Sequence, residues 1–251
     1  QCEILSGVYE GQATGWPILI VARNNDAKSS DYGFLPDHPR PGHADMVEIE
    51  RSGGAADLRG GGSQSARLTL GLVAAASQTR QLLSQRGIHV RAHLYSVGDS
   101  QSRSLLDLNQ TDETQKESMQ RLNCLDSEAA DLFSSVIERS RKELDSLGSS
   151  VECIVSGLPI GMGEPWFDGI EPALARAMMA IPGARAVEFG RGIHASKMKG
   201  SEHNDSWTLQ DDRPTPEPSA GHSPDGALGG RSTGAPLRIV VHFKPPSSIP
   251  R

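Results

Sequence analysis

The stretch IHVRAHLYSV, residues 88–97, alternates apolar and polar side chains: Ile88, Val90, Ala92 and Leu94 fall on one face, His89, Arg91 and His93 on the other. That period predicts a strand with one face in a core and a second face, carrying His89 and His93, that is wet or turned to a ligand. Immediately upstream, residues 66–85 place Leu68, Leu72, Val73, Ala76 and Leu83 at helical spacing, and Gly87 supplies the stop. Downstream, a second helix is expected from Ser127, a plausible N-cap, to Leu147, with Leu132, Phe133, Val136, Ile137 and Leu144 as its buried stripe and Gly148 as its end. Val151–Val155 reads as another strand and Ile170–Ala180 as a third helix stopped by Pro182; Ala186–Phe189 and Leu237–Phe243 supply further strands. At the front, Glu3–Tyr9 and Trp16–Ala22 read as a hairpin turning through Gly11–Gly15.

The 251 residues allow one large domain or two small ones. With 36% hydrophobic and 22% charged residues, the composition fits a globular chain and argues against a fully disordered one. Its 27 Gly and 16 Pro against 5 Phe, 3 Trp and 3 Tyr predict a turn-rich fold with an aliphatic core. The longest apolar run, Trp16 to Ala22, is far shorter than the roughly 20 residues a bilayer-spanning helix needs, so no membrane association is expected. A net charge of −6 gives no support to nucleic-acid binding, which concentrated Lys and Arg would drive. Cys2, Cys124 and Cys153 are odd in number and lack metal-ligand spacing. No metal is expected, and a reducing, cytoplasmic location fits best; no secretory leader is visible. Residues 24–64 show no sustained periodicity and read as a long functional loop. Residues 205–225, rich in Asp and Pro, read as a mobile loop.

Three constellations carry chemistry. GGGSQS at residues 60–65 runs into a helix, where free amides and the positive end of the helix dipole favour an anion; Arg67 adds a two-point grip. An ordinary glycine cap is the bland alternative. RPGHAD at residues 40–45, preceded by Asp37-His38, sets His43 beside Arg40 and Asp45, where an imidazole can serve as acid or base, or simply be a solvated loop side chain. KPPSS at residues 244–248, behind Gly229-Gly230, offers an ammonium, two hydroxyls and backbone amides to a second anion such as a cofactor phosphate; an ordinary strand exit is its alternative.

Taken in order, ILSGVYEGQATGWPI (4–18), NNDAKSSDY (24–32), RPGHAD (40–45), DLRGGGSQSARLT (57–69), VSGLPIGMGEPWFD (155–168), IPGARAVEFGRGI (181–193), GSEHND (200–205), GGRSTGAPL (229–237) and FKPPSSI (243–249) resemble the chorismate synthases over nearly the whole chain. No single motif is decisive; the ordered set is specific. The resemblance implies an α+β fold, a sandwich of antiparallel sheets and helices forming a single domain over 1–251, assembled as a homotetramer. It implies a lyase that converts 5-enolpyruvylshikimate 3-phosphate to chorismate by 1,4-anti elimination of phosphate, with reduced FMN as cofactor and NADPH only where an intrinsic flavin reductase activity is present.

Carried over by motif, His43 resembles the family's histidine that manages flavin protonation, and Arg40 and Arg67 resemble its partners for the anionic substrate. Ser63, Gln64 and Ser65, the Pro182–Gly183 turn, Gly229 and Lys244, Pro245, Pro246, Ser247 and Ser248 resemble flavin-binding positions; Asn204 and Asp205 are implied to lie near the flavin. The family's Gly-Glu-Ser-His-Gly and Arg-His-Asp segments would fall before Gln1 and after Arg251, so this chain by itself is expected to release little phosphate. The rival expectation is a non-catalytic relative serving as a binding or oligomeric scaffold. Either way, the 63–65 and 244–248 turns must share one cavity, within or between subunits, if a working site exists.

Overall fold

The computed structural model describes residues 2–24, 28–57, 62, 64–108, 113–210, 213–217 and 224–250. The chain divides into two compact units, Gln1–Leu82 and Leu83–Arg251.

In the first unit β1 (Cys2–Ser6) pairs antiparallel with β4 (Leu19–Ala22), and the short β2 (Val8–Tyr9) and β3 (Gln12–Ala13) pair between them. The expected hairpin is thus present, but broken in two. Gly7, at φ 80°, permits the break: a Cβ there would stand 2.6 Å from the Pro17 carbonyl oxygen. Within the expected structureless loop the chain folds a 3₁₀ turn at Ser29–Tyr32 and α1 (Asp45–Arg51). A second 3₁₀ turn, Ala66–Leu68, leads into α2 (Thr69–Gln85), close to the helix read from periodicity.

The second unit is organised on an antiparallel sheet of order β6-β5-β7-β13-β8. Its strands are β5 (His89–Val97), β6 (Ser100–Gln101), β7 (Ser149–Ser156), β8 (Ala184–Phe189) and β13 (Leu237–Phe243). Around it lie α3 (Glu113–Leu122), α4 (Ser127–Lys142), α5 (Ile170–Met179), α6 (Gly200–His203), the hairpin of β9 (Ser206–Gln210) with β10 (Arg213–Glu217), and the two-residue pair β11 (Ala227–Leu228) and β12 (Arg231–Ser232). The central β13 is buried over its first five residues, as a run of Leu, Ile and Val flanked on both edges requires.

Alternation along β7 and β13 gives the sheet two unlike faces. Leu237, Ile239 and Val241 pack with Cys153, Val155, Val187 and Phe189 beneath Ile170, Leu174 and Met178 of α5 and Leu83 of α2. The other face carries Glu152 and Arg238, both buried, with Ile154 packed against Leu105 and Leu108. α4 sets Ala129, Ala130 and Phe133 against Val97 and Leu94 of β5.

Two expectations are corrected. His93 is not on a wet face: it is 1% exposed and stands beside Glu152. The cap of α4 is Asp126, whose side chain accepts from the Ala129 amide, and the helix ends at Lys142 rather than Leu147, with Leu144 at φ 58° leading out of it. The segment read as a loop over 205–225 contains the β9–β10 hairpin, whose Trp207 and Leu209 are exposed.

Candidate active site

The first unit holds the RPGHAD segment. Arg40 donates from Nε (2.8 Å) and Nη2 (2.7 Å) to the two carboxylate oxygens of Asp45, and from its backbone amide to Oδ2 at 3.0 Å. The Arg40 guanidinium also lies 5.5 Å from the Tyr32 ring centroid. Asp45 opens α1 and is buried; the hydrogen bonds from Arg40 outweigh its burial and hold its carboxyl below the usual carboxylate range, while raising Arg40 in return. His43 is tied down at Nδ1, which donates to the Pro41 carbonyl at 3.0 Å. A carbonyl only accepts, so Nδ1 carries the proton in this contact. Arg40 is therefore held rigidly, with its charge largely compensated by Asp45.

Gln64 donates to Glu48 Oε1 of α1 at 3.1 Å, joining the end of the glycine loop to the helix behind RPGHAD. The Ser65 hydroxyl accepts from the Arg67 amide at 3.3 Å and caps the 3₁₀ turn. Arg67 is exposed. Ser63 lies outside the described residues, as does most of the glycine run before it.

In the second unit two turns separated by some 60 residues meet. The Lys244 amide donates to the Gly183 carbonyl at 3.0 Å, because β8 and β13 are antiparallel neighbours and these residues lie just beyond their paired ends. Lys244 Nζ donates to Ser247 Oγ at 2.8 Å, and Ser146 Oγ to the Pro246 carbonyl at 2.7 Å, so the turn is braced from within and from below. Gly183 sits at φ 88°, a conformation glycine adopts without strain. An ammonium, two hydroxyls and a glycine turn at one sheet edge are a donor set suited to a phosphate.

The remaining assigned positions lie elsewhere in this unit. Asp205 is engaged by Arg191: Nη2 donates to Oδ1 at 2.8 Å, Nη1 to the carbonyls of Glu202 and His203, and Asp205 Oδ2 accepts from the Asp225 amide. Their side chains are 3% and 6% exposed, which makes this a buried ion pair that sequence reading did not anticipate. Asn204, beside it, caps the end of α6. Arg191 follows the far end of the six-residue β8, about 20 Å from the Pro182–Gly183 turn. Gly229 lies in the two-residue turn between β11 and β12, beside Gly230 and the start of α5.

Sequence reasoning also missed the ionic cluster on the sheet's polar face. Glu152, fully buried, accepts from Ser104 Oγ (2.9 Å), the Leu105 amide (2.6 Å) and Arg238 Nε (2.5 Å), with His93 Nε2 at 3.6 Å. Burial opposes its ionisation, yet His93, the Leu105 amide and Arg238 outweigh that and hold its pKa below the usual range. A Glu among β-branched residues in a central strand was the available signal. Among the described residues no cluster of three or more His, Cys, Asp or Glu is arranged to hold a metal, and all three cysteines are free.

The mixed architecture defines an α+β protein with antiparallel sheets. The chorismate synthase family model matches residues 1–251. Chorismate synthases of Methanosarcina mazei and Aeropyrum pernix are 41% and 42% identical over 249 and 250 residues, covering 98% and 99% of this chain and 66% and 64% of the relatives. A crystal structure of chorismate synthase matches with a TM-score of 0.75 at 25% identity, covering 97% of this chain and 71% of the other. The chain belongs to the chorismate synthase family. It spans slightly less than two thirds of the length of these curated relatives.

Proposed function

We propose that this chain is the greater part of a chorismate synthase: a lyase that removes phosphate from 5-enolpyruvylshikimate 3-phosphate by 1,4-anti elimination, with reduced FMN, acting as a single domain over residues 1–251 in a cytoplasmic homotetramer. The observation that carries the reading is the Lys244 amide to Gly183 carbonyl hydrogen bond, which joins two turns that the resemblance assigns to one cofactor.

The residues fit the group. Lys244, Ser247 and Ser248 would receive the flavin phosphate, and the Gly183 turn beside them would leave backbone open to the cofactor without a side chain in the way. Reduced FMN, when bound, supplies an electron to the substrate and recovers it, so that the elimination leaves no net redox change. The chain's own residues then bind, orient and move protons. Arg67 attracts the substrate's anionic groups, and Arg40, its plane fixed by Asp45, orients them. His43, with Nδ1 engaged by Pro41, would hold at Nε2 the proton that manages the flavin's protonation, while phosphate and one proton leave the substrate and its new double bond forms.

Assembly as a tetramer is supported by the first unit, where Asp45 is the single buried residue among those described and α2 buries none. A unit without a core of its own calls for cover by other polypeptide, further copies among it.

The test is a pair of measurements on full-length protein carrying this chain. Lys244→Ala should weaken FMN binding, read by flavin fluorescence, while His43→Ala should lower anaerobic phosphate release by about 10²–10⁴-fold with flavin affinity retained. Unchanged FMN affinity in Lys244→Ala would remove the 244–248 turn from the site, and an undiminished rate in His43→Ala would remove the proton role.

A further inference from the structure

On the sheet's polar face, lined by Arg238 but not by the Lys244 turn, lies a cavity of about 590 Å³ that no step of the proposed reaction uses. Tyr95, Arg103, Arg191, His194, Lys197 and Arg238 form much of its wall, and Asp107 is the one carboxylate lining it among the described residues. The volume falls within the roughly 300–1,000 Å³ of small-molecule sites.

Its floor is built rather than incidental. Arg238 is 9% exposed; its Nε donates to Glu152 and its Nη1 to the Gly190 carbonyl at 3.0 Å, and its guanidinium lies 5.2 Å from the Tyr95 ring centroid. These contacts fix the guanidinium plane and leave Nη2 with no protein partner among the described residues. Arg191 is locked in the same way by Asp205 and two carbonyls. Lys197, at the end of the 3₁₀ turn Gly192–Lys197, stands at the rim with no ion-pair partner among the described residues.

The ordering of charge matters more than its sum. Glu152, Asp205 and Asp126 balance Arg238, Arg191 and Arg103, but none of the three carboxylates lines the cavity. The cations stand in front and the anions behind, so the nearer positive charges dominate the potential felt inside.

We propose that this cavity binds an oxyanion-bearing small molecule, its phosphate or carboxylate group received by Arg238 Nη2 at the floor and Lys197 at the rim. Arg238 and Lys244 occupy opposite ends of β13, six residues and about 20 Å apart, so the site is distinct from the proposed cofactor turn.

Isothermal titration of the protein at low ionic strength with inorganic phosphate, and separately with citrate, tests it. A saturable site is expected that is weakened at least about ten-fold by Lys197→Glu and persists in Lys244→Ala. Tighter phosphate than citrate identifies a phosphate ligand, and the reverse order a carboxylate. Arg238 supports Glu152, so Lys197→Glu, on an exposed turn, is the deciding variant, with thermal unfolding confirming its fold. Absence of saturable binding overturns the proposal. So does binding lost in Lys244→Ala but kept in Lys197→Glu, which would place the anion on the cofactor turn. Failure of FMN to bind would leave this titration unaffected, so the two readings fail separately.

Discussion

Glu152 sits with no solvent exposure between Arg238, Ser104, the Leu105 amide and His93, and each of these groups is in turn placed by it. Glu152→Ala removes one partner of a buried pair and leaves Arg238 uncompensated, a change that costs about 3–5 kcal/mol; urea denaturation should show the loss as a lowered midpoint. Glu152, Asp45 and Asp126 all have folded pKa values below their ordinary ones. A depressed acid stabilises above its unfolded pKa and loses that contribution as pH falls through its folded value, so stability should decline on acidification below about pH 4.5. Asp225 and Glu171 run the other way: burial raises both, with Asp205 adding to Asp225 and Asp225 to Glu171. Their contribution is lost as pH rises past the unfolded carboxylate pKa, so Asp225→Asn should raise the thermal midpoint at pH 7 and flatten its fall between about pH 4 and neutrality. None of this cluster was legible beforehand. The alternation through His93 reports which face a side chain takes, not what covers that face, and here residues 104–108 and 125 cover it.

Among the elements, the pair β11–β12 shows how closely backbones approach around α5. Gly230, at φ 83°, accepts from the Ile170 amide at 2.8 Å, and a Cβ on it would stand 2.5 Å from the Glu164 carbonyl oxygen. Ser232 ties the same region together, accepting from the Met162 amide at 3.0 Å and donating to Pro159. Gly230→Ala should therefore cost about 1–3 kcal/mol in strain and displacement, whereas Gly229→Asn, at φ 59° with nothing within 4 Å of a Cβ, should be close to neutral in stability. An equally small effect of Gly229→Asn on FMN affinity would remove Gly229 from the cofactor site. The main strands and the long helices were readable because their apolar residues repeat at a single period. α3 was not, since ETQKESMQRL consists of strong helix formers with almost no apolar stripe; Ser118, buried and donating to the Cys124 carbonyl, anchors it instead. α1 is only seven residues long and hidden between Pro and Gly. The motif order made the 182–183 and 244–248 turns legible as candidates, but their contact depends on β8 and β13 being neighbours, which no local pattern states.

At the scale of the molecule, α2 presents apolar side chains that are not buried. They include Leu70, Leu72 and Val73, all exposed. If further copies cover this helix, Leu72→Glu combined with Val73→Lys should shift the protein from tetramer to smaller species in sedimentation velocity; a tetramer undisturbed by both charges would place the contact elsewhere. The strand order β6-β5-β7-β13-β8 has one more consequence. The ribosome delivers β8 well before β13, yet β8 has β13 as its sole partner in the sheet, so a nascent chain carries an orphan edge and an open gap beside β7 until residue 243 has been made. Vectorial synthesis cannot close this sheet early, and the emerging polypeptide depends on holding factors, or on speed, to keep those two edges from pairing with a neighbour's.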